Sequence, residues 1–376
     1  MKKHLQKRTL AWLALMSATA LVLAACAVGV EQELEPPAPP EEAEAPAEEA
    51  EAPAEEEAPS EEAAPVDEET ALAEGRSLEP LSGEEGTLRM GLLPILDVLP
   101  FYIAEQEGHF ERAGITVELV PVSSALERDQ LMQAGEIDGQ LNDLISTGIF
   151  NQSETSIQIV SLARTAYPDF PQFRILAAPG SGIESPADLV GVPIGISENS
   201  VIEYTTDRLL EAEGLSADDI ATESVPSIPN RFQLLMEGQL QAANLPDPLA
   251  QGAVEAGAIL VVDDTAHPEF GLSVLSFSTQ AIEEKPQAIR RFLAAWNLAA
   301  RDLNGDPEAY RALLLENVNL PESIQETYVI PEFPLNEVPS EAQWGDVSDW
   351  LVEKGLVDEA LAYRDSVTDE FLFERE

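Results

Sequence analysis

The sequence is short of cysteine, histidine and basic residues. Its 376 residues include one cysteine, three histidines and 20 lysines and arginines, against 70 aspartates and glutamates. A single cysteine excludes a disulfide within the chain, so an apolar core has to stabilise the fold. The formal net charge of −50 argues against nucleic-acid binding, which depends on lysine and arginine to neutralise phosphates.

Residue patterns typical of metal or catalytic centres are also missing from the sequence. His109 and His267 lie far apart, and neither has a second histidine or a cysteine at metal-ligand spacing. No nucleophile motif or phosphate-binding loop occurs. We therefore expect no metal, no cofactor and no catalysis, although an enzyme that uses carboxylates alone stays open.

The amino terminus has the pattern of an export signal. Four basic residues within positions 2–8 precede an apolar stretch of about 14 residues, too short for the roughly 20 that span a bilayer. The run Leu23-Ala24-Ala25-Cys26 resembles a bacterial lipobox. This resemblance implies a lipoprotein signal peptide over residues 1–25 and a lipidated Cys26. An ordinary secretory signal with an incidental cysteine is the alternative.

An acidic segment follows the signal. Residues 31–85 contain 21 acidic residues and one basic residue, Arg76, and little that could be buried. Such a composition cannot offset the entropy of ordering, so we predict a disordered Glu/Ala/Pro tether over residues 26–86. An acidic interaction tail is the alternative. The body that follows is itself acidic.

The pattern of the body indicates an α/β fold. Strands are predicted at 87–92, 115–120 and 137–141, with helices at 99–113 and from Ser124 to the glycine at 135. The helix that starts at Ser124 has a capping-box sequence. Strands that alternate with helices of about a dozen residues predict a mainly parallel sheet.

Part of this pattern occurs twice. Residues 128–137 align with residues 231–240 at four of ten positions, and one inserted residue then brings Asp143 opposite Asp247. Each copy predicts a helix, a glycine stop, a strand and an aspartate at the strand's carboxyl end. Open α/β sheets bind ligands outside these strand ends. A true repeat would therefore give each lobe one carboxylate at a ligand site, although chance could also produce the identities.

Five segments occur in an order that extends over residues 87–335. They are Gly91-Leu92-Leu93-Pro94, the run Phe101 to Phe110, the run Ser181 to Gly191, Leu245-Pro246-Asp247-Pro248-Leu249 and the helix 285–301. In this order they resemble the nitrate/sulfonate/thiamine-precursor family of substrate-binding proteins for ABC importers. The resemblance implies a two-lobed clamshell of the periplasmic-binding-protein type II class, in which each lobe is a mainly parallel sheet flanked by helices.

By the same resemblance, lobe one comprises residues 87–176 plus 275–376, and lobe two comprises residues 177–274. The strands Arg174 to Ala178 and Leu272 to Ser278 would cross between the lobes as the hinge. The ligand would be held between the two lobes.

Candidate ligand-binding residues lie at strand ends and helix starts, where hydroxyls, carboxylates and free backbone N–H groups converge. Capping is the alternative for Asp97 and for one of the paired serines, core packing for Tyr102, and a solvated turn for Asp247. Asp247 is the strongest candidate because its flanking prolines hold it away from helix. The full set is Asp97, Tyr102, Ser123, Ser124, Asn142, Asp143, Thr165 and Tyr167 in lobe one, and Asn199, Ser200, Tyr204 and Asp247 in lobe two.

Two carboxylates facing one cleft, with tyrosines available to stack, favour a neutral or cationic nitrogen heterocycle. The family pairings suggest an aminopyrimidine of the thiamine pathway or a related vitamin precursor, with an alkylsulfonate such as taurine, or nitrate, as the alternative. We expect an extracytoplasmic monomer that is anchored to the cell membrane at Cys26 and delivers its solute to an ABC permease. A tethered ligand sensor would have the same features.

Overall fold

The computed structural model describes residues 68–373, and its ten strands form two five-stranded sheets. The strands are β1 Thr87–Leu92, β2 Thr116–Pro121, β3 Gly139–Asp143, β4 Ile157–Arg164, β5 Phe173–Ala177, β6 Pro193–Ile196, β7 Ala221–Ser224, β8 Ala242–Pro246, β9 Ile259–Asp263 and β10 Ser273–Ser278. The first sheet has the order β2-β1-β3-β10-β4, and the second has the order β7-β6-β8-β5-β9.

Helices connect and flank these strands within the described part of the chain. They are α1 Glu68–Ala73, α2 Leu99–Gln106, α3 His109–Arg112, α4 Ala125–Gln133, α5 Leu144–Phe150, α6 Val201–Ala212, α7 Ile228–Met236, α8 Leu249–Glu255, α9 Thr279–Glu284, α10 Pro286–Gly305, α11 Arg311–Asn317, α12 Glu341–Glu353 and α13 Tyr363–Ser366. Short 3-10 helices occur at Gly83–Gly86, Leu96–Val98, Pro186–Leu189, Ala217–Asp219, Asp264–Ala266, Pro307–Tyr310 and Glu322–Ile324. None of the helices between residues 68 and 373 is long and apolar enough to cross a membrane.

Both sheets are mainly parallel. In the first, β1 pairs parallel with β2 and β3, and β10 runs antiparallel between β3 and β4. In the second, β6 pairs parallel with β7 and β8, and β5 runs antiparallel between β8 and β9. The predicted two-lobed α/β clamshell is therefore confirmed.

The strands that we expected to cross between the lobes each belong to a single sheet. β5 pairs only within the second sheet and β10 only within the first. The chain passes between the sheets through the connections at residues 165–172 and 264–272, just before each of these strands. The sequence of an antiparallel strand at the start of a lobe does not differ from that of a strand that crosses between lobes. We therefore expected the hinge several residues further along the chain than the connections that the structure shows. The exact lobe boundaries stay a prediction.

The predicted tether ends earlier than residue 86. Helix α1 packs on α10, with Leu72 buried, and Glu68 pairs with Arg290 at 2.9 Å. Disorder was therefore the wrong prediction for residues 68–86. Burial of Leu72 and ion pairs between acidic residues of α1 and cations on α10 order this segment, although its Glu-rich composition predicts disorder. The signal peptide, Cys26 and the rest of the predicted tether lie outside the described residues.

The core of the first lobe gathers around helix α10. Trp296 and Phe292 on one face of this helix are fully buried and contact the ring of Phe101 on α2. The predicted helix over 99–113 is divided into α2 and α3 because Gly108, with φ of 69°, adopts the left-handed conformation that glycine accepts most readily. This packing fixes the position of the loop between β1 and α2.

The sequence repeat is also a repeat in structure. The two sheets have the same strand order, with β1, β2 and β3 matching β6, β7 and β8. At the offset of 103 residues, Arg128 donates from Nη1 to the carbonyl of Leu141 at 3.1 Å, and Arg231 donates from Nε to the carbonyl of Asn244 at 2.8 Å. Equivalent guanidiniums therefore hold equivalent strands in the two lobes.

Candidate functional site

A cavity of about 170 Å³ lies where the connection at residues 165–172 leaves the first lobe. We name it the hinge cavity. Arg164 at the end of β4, Arg174 on β5 and Asp247 after β8 line it. Phe170, Gln251 and Tyr328 complete much of its wall. Residues from both lobes therefore enclose this space.

Two ion pairs set the charge around the hinge cavity. Arg164 donates from Nη1 to Oδ1 of Asp97 at 3.1 Å, and each side chain is only 1% exposed. Arg174 donates from Nη2 to Oδ2 of Asp247 at 2.8 Å. The amide of Gln172 also donates to Asp97, at 3.2 Å. Arg174 and Asp247 in the cavity wall thus compensate each other, and Arg164 is compensated by Asp97 behind it.

Several buried polar atoms at the hinge cavity have no hydrogen-bond partner among the described residues. They are Nε and Nη2 of Arg164, Nε of Arg174 and Oδ1 of Asp247. Burial raises the pKa of the Asp247 carboxyl, and the charges of Arg174 and Arg164 oppose that rise. The N–H of Gln251 also lowers this pKa, but it is not in hydrogen-bonding geometry with Oδ1. Buried polar atoms are normally paired, so the missing partners of these four atoms mark the hinge cavity as a candidate site for a bound molecule.

A second, smaller cavity lies between the lobes nearer to α4 and α6. It has a volume of about 50 Å³, and we name it the small cavity. Asn142 and Asp143 line it from the end of β3, Ser200 lines it from the start of α6, and Arg231 lines it from α7. Burial raises the pKa of Asp143, although Arg128 lies 3.9 Å from its carboxylate and opposes the rise.

The structure separates the two aspartates that we expected to face one cleft. Asp247 lines the hinge cavity, whereas Asp143 lines the small cavity and accepts the N–H of Ser146 as the cap of α5. Both carboxylates already have arginine neighbours. A cationic or neutral heterocycle was expected because two carboxylates would face one cleft. The two cavities instead contain guanidiniums as well as carboxylates, so they do not favour a cation.

Five of the remaining candidates lie at the small cavity, behind Arg164 or at the start of α4. Asn142 and Ser200 line the small cavity, and Asp97 lies behind Arg164 without lining either cavity. Ser123 and Ser124 sit at the start of α4, where Ser124 caps the helix by accepting the N–H of Glu127 at 3.2 Å. Helix capping, which was the alternative to ligand binding for one of the paired serines, therefore accounts for Ser124.

The other candidates make contacts of their own away from both cavities. Thr165 donates to the carbonyl of Pro268 at 3.1 Å, and Tyr167 pairs with Phe170 through the backbone. Tyr102 packs against the first core, as its alternative reading holds. Asn199 has a positive φ of 57° and lies at an open groove beside α4.

Tyr204 serves to join the lobes and does not line either cavity. Its hydroxyl donates to Asp346 on α12 at 2.5 Å, and its ring packs edge-on against Trp350. Trp350 in turn donates from Nε1 to Asp207 at 3.0 Å, and Lys354 pairs with Glu203 at 2.7 Å. Since α6 flanks the second sheet and α12 packs on α5 of the first lobe, these contacts connect the two lobes at their rim.

Sequence reasoning missed the arginines. Arg164, Arg174 and Arg231 lie within the segments that were considered, but arginine is usually exposed, and nothing in a linear pattern indicates burial of a guanidinium. The available signal was the scarcity of basic residues in this strongly acidic chain. Arginines that lie beside strand ends in such a chain are candidates for a functional role. No group of three or more potential metal-ligating side chains occurs within residues 68–373.

The model of the NMT1/THI5-like family matches residues 96–310, more than half of the chain. The chain belongs to this family. Among curated proteins, none matches it.

Solved structures of low sequence identity share the fold of this NMT1/THI5-like protein. The alkanesulfonate-binding protein SsuA of Xanthomonas axonopodis pv. citri, bound to MOPS, is 19% identical with a TM-score of 0.65, over 76% of this chain and 99% of that one. The periplasmic nitrate-binding protein NrtA of Synechocystis is 15% identical with a TM-score of 0.61, over 77% and 88%. The desulfurization enzyme DSZB is 16% identical with a TM-score of 0.57, over 76% and 97%. At these identities the likeness shows the fold alone.

Proposed function

We propose that this NMT1/THI5-like protein is a solute-binding protein that holds one small solute in the hinge cavity and delivers it to an ABC import permease. The observation that carries the proposal is the set of unpartnered buried atoms on Arg164, Arg174 and Asp247 around a cavity enclosed by both lobes. A bound solute would supply the missing partners. The family and the fold of its solved neighbours support this function.

Solute binding would favour the closed arrangement of the lobes. Arg164 belongs to the first lobe and Arg174 and Asp247 to the second, so a solute that contacts all three binds only when the lobes are together. A ligand shifts such an equilibrium by its better binding to one state. The closed form is the state that a permease would recognise, and the contacts between α6 and α12 contribute to the same state.

The place of action in this proposal is outside the cytoplasm. We expect a monomer whose signal peptide is removed and whose Cys26 carries the lipid that anchors it, as the lipobox resemblance implies. Mass spectrometry of the mature amino terminus tests the anchor. A lipid-modified Cys26 is the expected result, and an unmodified amino-terminal cysteine or a different cleavage site would contradict it.

The hinge cavity favours binding over chemistry. Its carboxylate Asp247 is tied to Arg174, and no histidine or cysteine of residues 68–373 lines it. His109 is instead held by Asp302 at 2.7 Å and His267 by Glu269 at 3.2 Å. We therefore propose that the solute leaves the protein unchanged, although one enzyme shares the fold.

The unpartnered atoms define the chemical class of the solute. Three of the four are N–H donors on guanidiniums, and the fourth is a carboxylate acceptor. A matching solute carries an oxyanion for the arginines and one N–H or O–H donor for Asp247. The cavity of about 170 Å³ has room for a compact solute. An aminoalkanesulfonate such as taurine has this combination of groups.

Titration of the purified full chain with taurine and with ethanesulfonate, which lacks the amine, tests this assignment. We expect taurine to bind the wild-type protein more tightly than ethanesulfonate. Asp247→Asn should weaken taurine about 10-fold or more, because a hydrogen bond to a charged group contributes about 1.5 to 3 kcal/mol. The same substitution frees the charge of Arg174 and should leave ethanesulfonate affinity unchanged or improved.

The matched control is Asp169→Asn, since this carboxylate lies at the rim of the same cavity and is exposed. Its effect on taurine affinity should be less than about 2-fold, because exposed charges are screened by solvent. Failure of both sulfonates to bind, or equal taurine affinity in the wild type and Asp247→Asn, would contradict the assignment.

An aminopyrimidine of the thiamine pathway is the second candidate. The free Oδ1 of Asp247 favours it, because an exocyclic amine can donate to that oxygen. Such a ring offers only weak acceptors to Arg164 and Arg174. Including one aminopyrimidine in the same titrations decides between the classes: tighter binding of the pyrimidine than of taurine would select the second candidate.

A further inference from the structure

Tyr328 is a buried residue of the first lobe that lines the hinge cavity. Its side chain is 2% exposed, and its ring packs in the core of the first lobe. Among residues 68–373, no group is hydrogen-bonded to its Oη. Buried hydroxyls normally have a partner. Oη of Tyr328 therefore joins the unpartnered atoms of Arg164, Arg174 and Asp247 as a candidate contact for the solute.

The surroundings of this hydroxyl keep it protonated. Burial raises the pKa of Tyr328, and the carboxylate of Asp247 raises it further, whereas the charges of Arg164 and Arg174 lower it. The net shift is upward, so the phenol carries its proton at neutral pH and can donate a hydrogen bond. The three charged residues that act on this hydroxyl are the ones that carry the unpartnered atoms of the cavity.

The segment that carries Tyr328 contacts both lobes. We name residues 318–331 the spanning segment. Its Pro321 lies against α8 of the second lobe, so closely that a Cβ on Gly252 would overlap the proline ring. On the first lobe, Arg311 of α11 donates from Nη2 to the carbonyl of Tyr328 at 2.8 Å. The backbone that presents the hydroxyl is therefore held in place beside the cavity.

Three residues on three different elements offer donors to the hinge cavity. Arg164 ends β4, Arg174 lies on β5, and Tyr328 belongs to the spanning segment. A sulfonate has three oxygens and can give one to each of these donors. A carboxylate has two oxygens, so one of the three donors would have no oxygen of its own. A buried donor without a partner is unfavourable.

We propose that Tyr328 is a specificity-determining residue of the hinge cavity, whose hydroxyl donates to the third oxygen of a sulfonate and thereby selects sulfonates over carboxylates. This inference rests on the proposed function, because it requires the solute to lie in the hinge cavity. Asp247 recognises the amine of the solute, and Tyr328 recognises the geometry of its oxyanion.

Titration of the full chain with taurine and with β-alanine tests the selection, since β-alanine has the same amine and a carboxylate in place of the sulfonate. We expect the wild type to bind taurine about 10-fold more tightly than β-alanine, the difference typical of one hydrogen bond to a charged group. Tyr328→Phe should weaken taurine by about the same factor and change β-alanine affinity by less than about 2-fold. The preference for taurine should therefore disappear.

The matched control is Tyr310→Phe. Tyr310 also packs against the core of the first lobe, but it does not line the hinge cavity. This variant should keep the wild-type preference for taurine over β-alanine. An equal preference in the wild type and Tyr328→Phe, or no preference in the wild type, would overturn the inference.

Urea unfolding without solute gives a second readout. A hydroxyl that only the solute contacts has no protein partner to lose, so Tyr328→Phe should unfold at the same urea concentration as the wild type or at a higher one. A hydroxyl with a structural role would lower the midpoint when removed. A lower midpoint for Tyr328→Phe would overturn the inference whether or not a solute binds.

The two proposals fail in different samples. A wild-type protein that binds no sulfonate contradicts the proposed function, and the role of Tyr328 falls with it. A wild-type protein that binds taurine, with its preference over β-alanine unchanged in Tyr328→Phe, contradicts only the role of Tyr328.

Discussion

Replacement of Arg164 with methionine is expected to lower the free energy of unfolding by about 3 to 5 kcal/mol, the loss typical of removing one partner of a buried ion pair. The reason is the carboxylate left behind. Asp97 is 1% exposed, and among residues 68–373 it would retain only the hydroxyl of Ser273 and the amide of Gln172 as partners. Urea unfolding of the purified variant measures the change.

A double-mutant cycle separates loss of the pair from loss of packing. Adding Asp97→Asn to Arg164→Met removes the uncompensated charge, so the double variant should be more stable than Arg164→Met alone. Arg290→Met is the control, because its pair with Glu68 is partly exposed and should contribute about 1 kcal/mol or less. A loss at Arg164 no larger than the loss at Arg290 would contradict the description of the hinge as a buried charge cluster.

Substitution of Gly271 by alanine is expected to destabilise the protein by about 3 kcal/mol, because the added methyl has no space. Its Cβ would overlap Oδ2 of Asp264 and approach the ring of Phe173 to 2.9 Å. The carboxylate of Asp264 is buried and accepts the N–H groups of Gln172, at 2.8 Å, and of Phe173, at 3.2 Å. The methyl would therefore disturb the group that joins the two connections between the lobes.

Gly345→Ala provides the control for this substitution. Gly345 lies inside α12, and no heavy atom would lie within 4 Å of the added Cβ. An alanine there should raise the free energy of unfolding by about 0.5 to 1 kcal/mol, since glycine is the poorer helix former. If Gly271→Ala and Gly345→Ala unfold at the same urea concentration, the close contact at the hinge is absent.

Local patterns in the sequence predicted much of the fold. The bounds of β1 agree with the predicted strand, and Ser124 and Ser200 are the caps of α4 and α6. These features depend on neighbouring residues, and their signals are therefore local. The repeat between residues 128–137 and 231–240 is a long-range feature that the sequence also contained, since both copies build the same unit.

The candidate site was harder to predict because it depends on pairs of residues distant in sequence. Asp97 and Arg164 are 67 residues apart, and Arg174 and Asp247 are 73 apart. Nothing local distinguishes a buried, paired arginine from an exposed one. Tyr204 illustrates the same limit, because its partner Asp346 comes from a helix 142 residues later. The predicted aspartates were therefore found at strand ends as expected, but in two different cavities.

A crystal structure of the full chain grown with taurine tests the central claim most directly. The claim is that one small solute is enclosed between the lobes in the hinge cavity. The predicted result is density for a single taurine whose sulfonate contacts Arg164 and Arg174 and whose amine contacts Oδ1 of Asp247. Clear density for the solute elsewhere on the protein, with only water in the hinge cavity, would contradict the account.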